Sequence, residues 1–142
     1  MPMTPSDAIE IRRVRGKGRG VFARRPIEEG EVIETCPVLV LPATSVEDFS
    51  DGLGAYVFEW GRGRLALALG YGSLYNHSYR PNARYADLAD RTKLFTAIRD
   101  IAAGEEITVN YNGEPGDRTP VGFEVVEGPD VTRRRSSVHA VG

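Results

Sequence analysis

Within LYNHSYRPN, positions 74–82, stand an amide, an imidazole and a second amide: Asn76, His77 and Asn82, with Pro81 stiffening the chain between them. The stretch is too polar for a core strand and too aromatic for a plain loop. An imidazole can be a metal ligand, a general base or a hydrogen-bonding group. The only other histidine is His139, near the C-terminus, so a multi-histidine metal site is excluded and a carboxylate-rich one has no clustered candidate. Ser73 and Ser78 flank His77, but adjacent residues seldom face each other and nothing resembles a nucleophile elbow. What remains for His77 is the role of a fixed hydrogen-bonding group.

Three further features carry chemistry. Tyr111 follows an apolar run and is flanked by Asn110 and Asn112, so its hydroxyl can project past a strand end as a donor or an acid/base group. GKGRG, positions 16–20, is a Gly-rich turn where the missing Cβ atoms let a ligand approach the backbone. A phosphate cradle would need a helix after it, whereas the residues that follow are strand-like. Glu105 and Glu106 beside Gly104 read as a solvated turn. Cys36 reads as a small buried residue, and Asn76-His77-Ser78 matches a glycosylation pattern that requires a secreted, exposed site.

The elements that must position these groups are short and alternating, punctuated by Gly and Pro, which predicts strands. IEIRRV (9–14) and GVFARR (20–25) pair across the Gly-rich turn. EVIET (31–35) and VLVLP (38–42) are two β-branched runs separated by Pro37. A helical turn is expected over residues 45–49 with Ser45 as its cap. YVFEW (56–60) and RLALALG (64–70) form a hairpin, as do ARYADL (83–88) and KLFTAIRD (93–100) around the turn 89–92. ITVNY (107–111) follows the turn 102–106, and GFEVVEGP can hold one more short strand.

Size and charge bound the rest. A chain of 142 residues is one domain with a core of its own. A net charge of −2 argues against a general nucleic-acid binder. One cysteine excludes an internal disulfide and a multi-thiolate zinc site. With no segment approaching the roughly 18 apolar residues that span a bilayer, and no signal-peptide run, the expectation is a soluble, intracellular, cytoplasmic protein without membrane partners.

In their order, GKGRGVFA, NHSYRPN and RDIAAGEEITVNYN resemble the SET-domain protein lysine methyltransferases, over roughly residues 10–113. The resemblance implies a mainly β fold, the SET-domain β-clip of small curved sheets with a C-terminal pseudoknot. It also implies S-adenosyl-L-methionine as methyl donor and a protein lysine entering a narrow channel from the opposite face. Carried over, Gly18, Arg19 and Gly20 contact the donor through backbone, together with Leu74, Asn76 and His77, the last through its main chain. Tyr111 matches the catalytic tyrosine. Tyr85, three residues beyond Pro81-Asn82, lines the lysine channel; Val109 stands where other members carry an aromatic residue, which leaves Tyr85 to limit the methylation state.

The match also departs from the family. Tyr79 replaces a common cysteine, and no later cysteine cluster supplies a zinc-bound lid, so Phe123 is the aromatic residue expected to close the cofactor site. The expected organisation is a flexible N-terminus (1–8), a SET domain (9–113), a lid-like segment (114–130) and a disordered tail (131–142), making a small SET-only member. Substrate choice falls to the domain's own groove around residues 56–60 or to a partner, and a homodimer is compatible with so short a chain. The rival readings are a catalytically inactive SET-like binding module and a small β-rich structural protein.

Overall fold

The computed structural model describes residues 3–49 and 52–121. IEIRRV and GRGVFA form β1 (Ile9–Val14) and β2 (Gly18–Ala23), an antiparallel hairpin in which Val14 pairs with Gly18. Gly16 and Gly18 take φ of 81° and 78°, a conformation costly for any residue with a Cβ. The tight turn therefore consumes fewer residues than GKGRG suggests, and β2 begins and ends two residues earlier than GVFARR.

The runs on either side of Pro37 are one strand, β3 (Val32–Pro42), and not two. Residues 32–37 pair with β8 (Thr92–Ala97), and residues 38–42 with β5 (Arg64–Ala68). Pro37 lacks a donor but not an acceptor: its carbonyl takes the Leu69 N–H at 2.9 Å. The strand changes partner at the proline without breaking. The expected helical turn is displaced: 3-10 turns lie at Ala43–Ser45 and Gly52–Ala55, and Ser45 ends the first of them. Pro42 caps that turn without a side-chain bond, so Ser45 is not the cap.

β4 (Val57–Glu59) pairs with β5 as the expected hairpin, and β7 (Ala83–Leu88) with β8 across a turn where Asp90 and Arg91 hold positive φ. The remaining strands are β6 (Asn76–His77) and β9 (Glu106–Val109). Two sheets result, ordered β1-β2-β9-β6 and β4-β5-β3-β8-β7. The second curls until its two edges meet, with the Phe58 and Tyr85 rings 5.1 Å apart, edge to face. Val21, Ile27, Ile33, Phe95, Ile101, Ile107 and Val109 fill the shared core, and Cys36 is buried there as a free thiol. Among the described residues no helix is long and apolar enough to cross a membrane. The expected short strand at GFEVVEGP, Phe123 and the tail from residue 131 lie outside the described residues.

The unusual feature is β9. It inserts between β2, its antiparallel neighbour, and the two-residue β6, which runs parallel to it with Asn76 opposite Thr108 and His77 opposite Val109. The loop 78–82 returns beside β9 and is fixed to it by Asn82, which is 1% exposed. Its Nδ2 donates to the Glu106 carbonyl at 2.8 Å and its Oδ1 accepts the Thr108 N–H at 2.9 Å. These backbone groups have nowhere else to go in the core. Asn82→Ala strands both, and urea denaturation is expected to show a loss of about 3 kcal/mol.

Candidate active site

The two halves of LYNHSYRPN do different work. Asn76 in β6 faces the hairpin: its Nδ2 donates to the Arg19 carbonyl at 2.9 Å and to Glu106 Oε2 at 2.7 Å. The Glu106 carboxylate also pairs with Lys17 Nζ at 3.3 Å, so it is a junction only 16% exposed and not half of a solvated turn. Glu105 accepts from Asn82 and from the Ala102 N–H, but its side chain remains 37% exposed beside Arg99, in keeping with a solvated turn. Gly20 makes the junction feasible. A Cβ there would stand 2.5 Å from Glu106 Oε2 and 2.9 Å from Asn76 Nδ2.

His77 faces the other way. Its Nδ1 accepts the backbone N–H of Tyr111 at 2.9 Å, and the two rings lie 5.2 Å apart. An acceptor Nδ1 means a neutral imidazole with its proton on Nε2. Tyr111 stands two residues past the end of β9, and its hydroxyl donates to the Tyr75 carbonyl at 2.6 Å. Burial pushes the Tyr111 phenol up, and Glu106, Tyr85 and Tyr56 add to the effect. The group therefore rests as a neutral hydroxyl and not as a phenolate.

Tyr85 completes the cluster from β7, its hydroxyl donating to the Tyr111 carbonyl at 3.3 Å. Burial, then Asp87 and Glu59, push its phenol up to about 12. Tyr75, whose carbonyl receives the Tyr111 hydroxyl, is anchored in turn. Its ring stacks on Phe95 at 4.3 Å and its hydroxyl donates to Glu34 at 2.8 Å.

The fold thus joins Arg19, Gly20 and Asn76 in one place and His77, Tyr85 and Tyr111 in another, with β6 between them. Gly18 lies at the start of β2, and Leu74 packs against the core. Tyr79, for which the sequence offered no physical account, is an anchor. Its hydroxyl donates to the Thr119 carbonyl at 3.1 Å, and its ring packs edge-on against His77 at 4.4 Å.

A cleft of about 720 Å³ is lined by Arg13, Arg15, Lys17, Ser78, Arg80 and Glu106 among others, while Gly18, Arg19, Gly20, Leu74, Asn76 and His77 do not line it. The tyrosine hydroxyls do not line it. Glu106 is the link, lining the cleft and bonding to Asn76. Lys17, Tyr75 and Glu106 are contributors whose roles the sequence did not reveal. Their partners are 89, 41 and 30 residues distant, and only the apolar phase of GEEITV hinted that Glu106 begins a strand.

These features place the chain in a class. The family model for the SET domain matches residues 18–112, and the chain belongs to the SET-domain family, whose enzymes are protein-lysine N-methyltransferases. A histone-lysine N-methyltransferase of Schizosaccharomyces pombe, specific for H3 lysine 37, is 36% identical over 106 residues, which cover 72% of each chain. An N-lysine methyltransferase of Danio rerio is 29% identical over 83% of this chain and 38% of its own length. A crystal structure described as a histone methyltransferase of Plasmodium falciparum superposes with a TM-score of 0.62 at 28% identity, covering 75% of this chain and 98% of that one.

Raised tyrosine pKa values have a measurable consequence. A phenol whose folded pKa exceeds the unfolded value of about 10 binds its proton more tightly in the native state. Its contribution is intact below that pH and is lost as pH climbs towards the folded value. Tyr75, Tyr85 and Tyr111 share this direction. Spectrophotometric titration is expected to show these three ionising only with unfolding, and urea stability is expected to fall steadily above pH ~10.

Proposed function

We propose that this chain transfers a methyl group from S-adenosylmethionine to the ε-amine of a lysine in a protein, with histones or histone-like proteins as the first substrates to test. The observation that carries the reading is the bond from the Tyr111 hydroxyl to the Tyr75 carbonyl, beside His77 and Tyr85.

The donor fits the residues present. It carries one carboxylate beside an ammonium and a sulfonium, and the cleft that Glu106 joins to Asn76 offers Arg13, Arg15, Lys17 and Arg80 to the carboxylate and Glu105 and Glu106 to the cationic groups. The backbone of Gly18 and Arg19, at the start of β2, would contact the donor next to Asn76, whose Nδ2 donates to the Arg19 carbonyl. Asn76 would hold the donor through Oδ1, since Nδ2 is engaged, and His77 through its main chain. When bound, the donor supplies a sulfonium methyl that an amine takes by in-line displacement, a reaction that rewards alignment more than proton transfer.

The Tyr111 hydroxyl donates its proton to the Tyr75 carbonyl, and a hydroxyl oxygen fixed in this way can face a polarised methyl in weak C–H···O contacts, each worth about 0.5–1 kcal/mol. The amine must arrive neutral, and an apolar, desolvated channel favours that form. No base is required at the methyl, in keeping with a tyrosine that holds its proton. Cofactor and lysine approaching from opposite sides of β6 accounts for a cleft that stops short of the tyrosines.

The remaining organisation follows the same reading. Residues 9–113 form the catalytic domain and 114–130 a lid over the cofactor, with Phe123 closing it. In support, Asn110 Nδ2 donates to the carbonyls of Pro115 and Asp117, and Tyr79 and Asn112 both donate to Thr119, turning the chain back towards His77. A lone thiol buried as Cys36 fits a reducing, cytoplasmic setting. A homodimer that completes the groove near residues 56–60 is part of the proposal.

Tyr111→Phe is expected to lower methyl transfer from labelled donor to a lysine-rich protein at least about a hundredfold while calorimetry shows donor affinity nearly unchanged. Full activity in that variant would leave an inactive binding module as the better account. Tyr85→Phe removes the hydroxyl nearest the acceptor end. Mass spectrometry is expected to show products moving from low to higher methylation states, and an unchanged distribution would remove Tyr85 from that role.

A further inference from the structure

Lys93 lies on β8, on the face that Phe95 and Ala97 bury, and its side chain is 0% exposed. An ammonium removed from water must be compensated by an anion or by oriented dipoles. Both are present. Asp87, opposite it on β7, accepts a hydrogen bond from Nζ. Nζ also stands 4.1 Å from the Phe58 ring centroid, 4.3 Å from Tyr85 and 5.7 Å from Trp60, within the range of cation–π attraction. Phe58 and Trp60 belong to the β4 side of the curled sheet, Tyr85 and Asp87 to β7 at its opposite edge. One buried cation ties the two edges together.

A purely structural tie is the bland account, but an apolar side chain of this length would fill the same space without the cost of desolvation. The charge has a setting in which it can act. Tyr85 is at once a wall of the cage and the donor to the Tyr111 carbonyl. Two exposed carboxylates, Asp87 and Glu59, act on the Tyr85 phenol. Burial lowers the Lys93 pKa, and Asp87 and, from β3, Cys36 act against that lowering, while Tyr56 and Tyr85 act on Tyr111. Uncompensated, those carboxylates would hold an approaching lysine in its charged, unreactive form.

Building on the methyltransferase reading, we propose that Lys93 is a positioning residue that also acts electrostatically. It fixes Tyr85 from the cage side and neutralises Asp87, so that a target lysine entering beside Tyr85 gives up its proton to solvent. The charge next to the acceptor channel is then a balanced pair in place of a bare anion.

The pH dependence of kcat tests this, because it reports groups in the bound complex. Removing Lys93 raises the bound amine's pKa, so Lys93→Met is expected to move the acid limb of kcat upward by about one pH unit. The double variant Lys93→Met/Asp87→Asn removes both members of the pair, leaves Glu59 as it was and so restores the original net charge of the channel wall, and is expected to return the limb to its original position. A purely structural role would produce neither the shift nor its reversal. A limb unmoved in the single variant, or still displaced in the double, overturns the proposal.

A measurement on the unaltered protein guards against a variant that does not fold. In NMR spectra the Cε protons of Lys93 are expected far upfield under the ring currents of Phe58 and Tyr85, and ordinary shifts there would overturn the cage and the proposal together. Wild-type protein that binds donor but methylates no lysine would instead bring down the enzyme reading, a result distinguishable from either of these.

Discussion

Glu106 is the point at which otherwise separate segments of the chain are joined. Its carboxylate receives Asn76 from β6 and Lys17 from the hairpin turn, and its backbone carbonyl receives Asn82 from the returning loop. None of these partners is near it in sequence. The junction exists because β9 lies between β2 and β6, and because Gly20 leaves room where any side chain would collide with both Glu106 and Asn76. A carboxylate so placed is costly to bury alone, and its two charged or polar donors offset that cost. The position of β6, and with it of His77, depends on this arrangement.

From that junction the rest of the site follows by short steps. His77 is held by β9 and in turn holds the Tyr111 backbone; Tyr75, one residue before β6, presents its carbonyl to the Tyr111 hydroxyl. Glu34 and Phe95 fix Tyr75 from beneath. The result is a hydroxyl whose proton has one destination and whose ionisation is suppressed by burial. Such a group orients and polarises without exchanging protons, which suits a reaction governed by alignment.

The strand pattern was legible in the sequence wherever alternation and Gly turns coincide, as in β1 to β2, β4 to β5 and β7 to β8. The motif residues Asn76, His77, Tyr85 and Tyr111 were legible because three ordered motifs carry a family resemblance; composition alone led no further than a polar knot. The failures have physical causes. Pro37 looked like a break because a proline lacks a donor, but the strand there needs only an acceptor on the side where its partner changes. Glu106 looked solvated, as its neighbour Glu105 is, because charge beside a Gly turn usually is, and no local pattern reports a partner 30 residues away. β6 is two residues long, too short for any periodicity. Lys93 did leave a signal: it shares the inward phase of its strand with Phe95 and Ala97, where a charge is out of place.

The insertion of β9 between β2 and β6 also bears on how the protein reaches its native state. The two strands it must join pair with it across sequence separations far longer than those of the hairpins, and closing long loops is entropically slow. Hairpins can form early and independently, but the Asn76 to Glu106 junction and the Tyr111 to Tyr75 bond have no partial version that precedes β9. Recovery of function on refolding therefore depends on that closure, and nascent chain that has not yet emerged through Val109 carries the first two motifs without any site. A chain with most of its secondary structure would still be chemically blank.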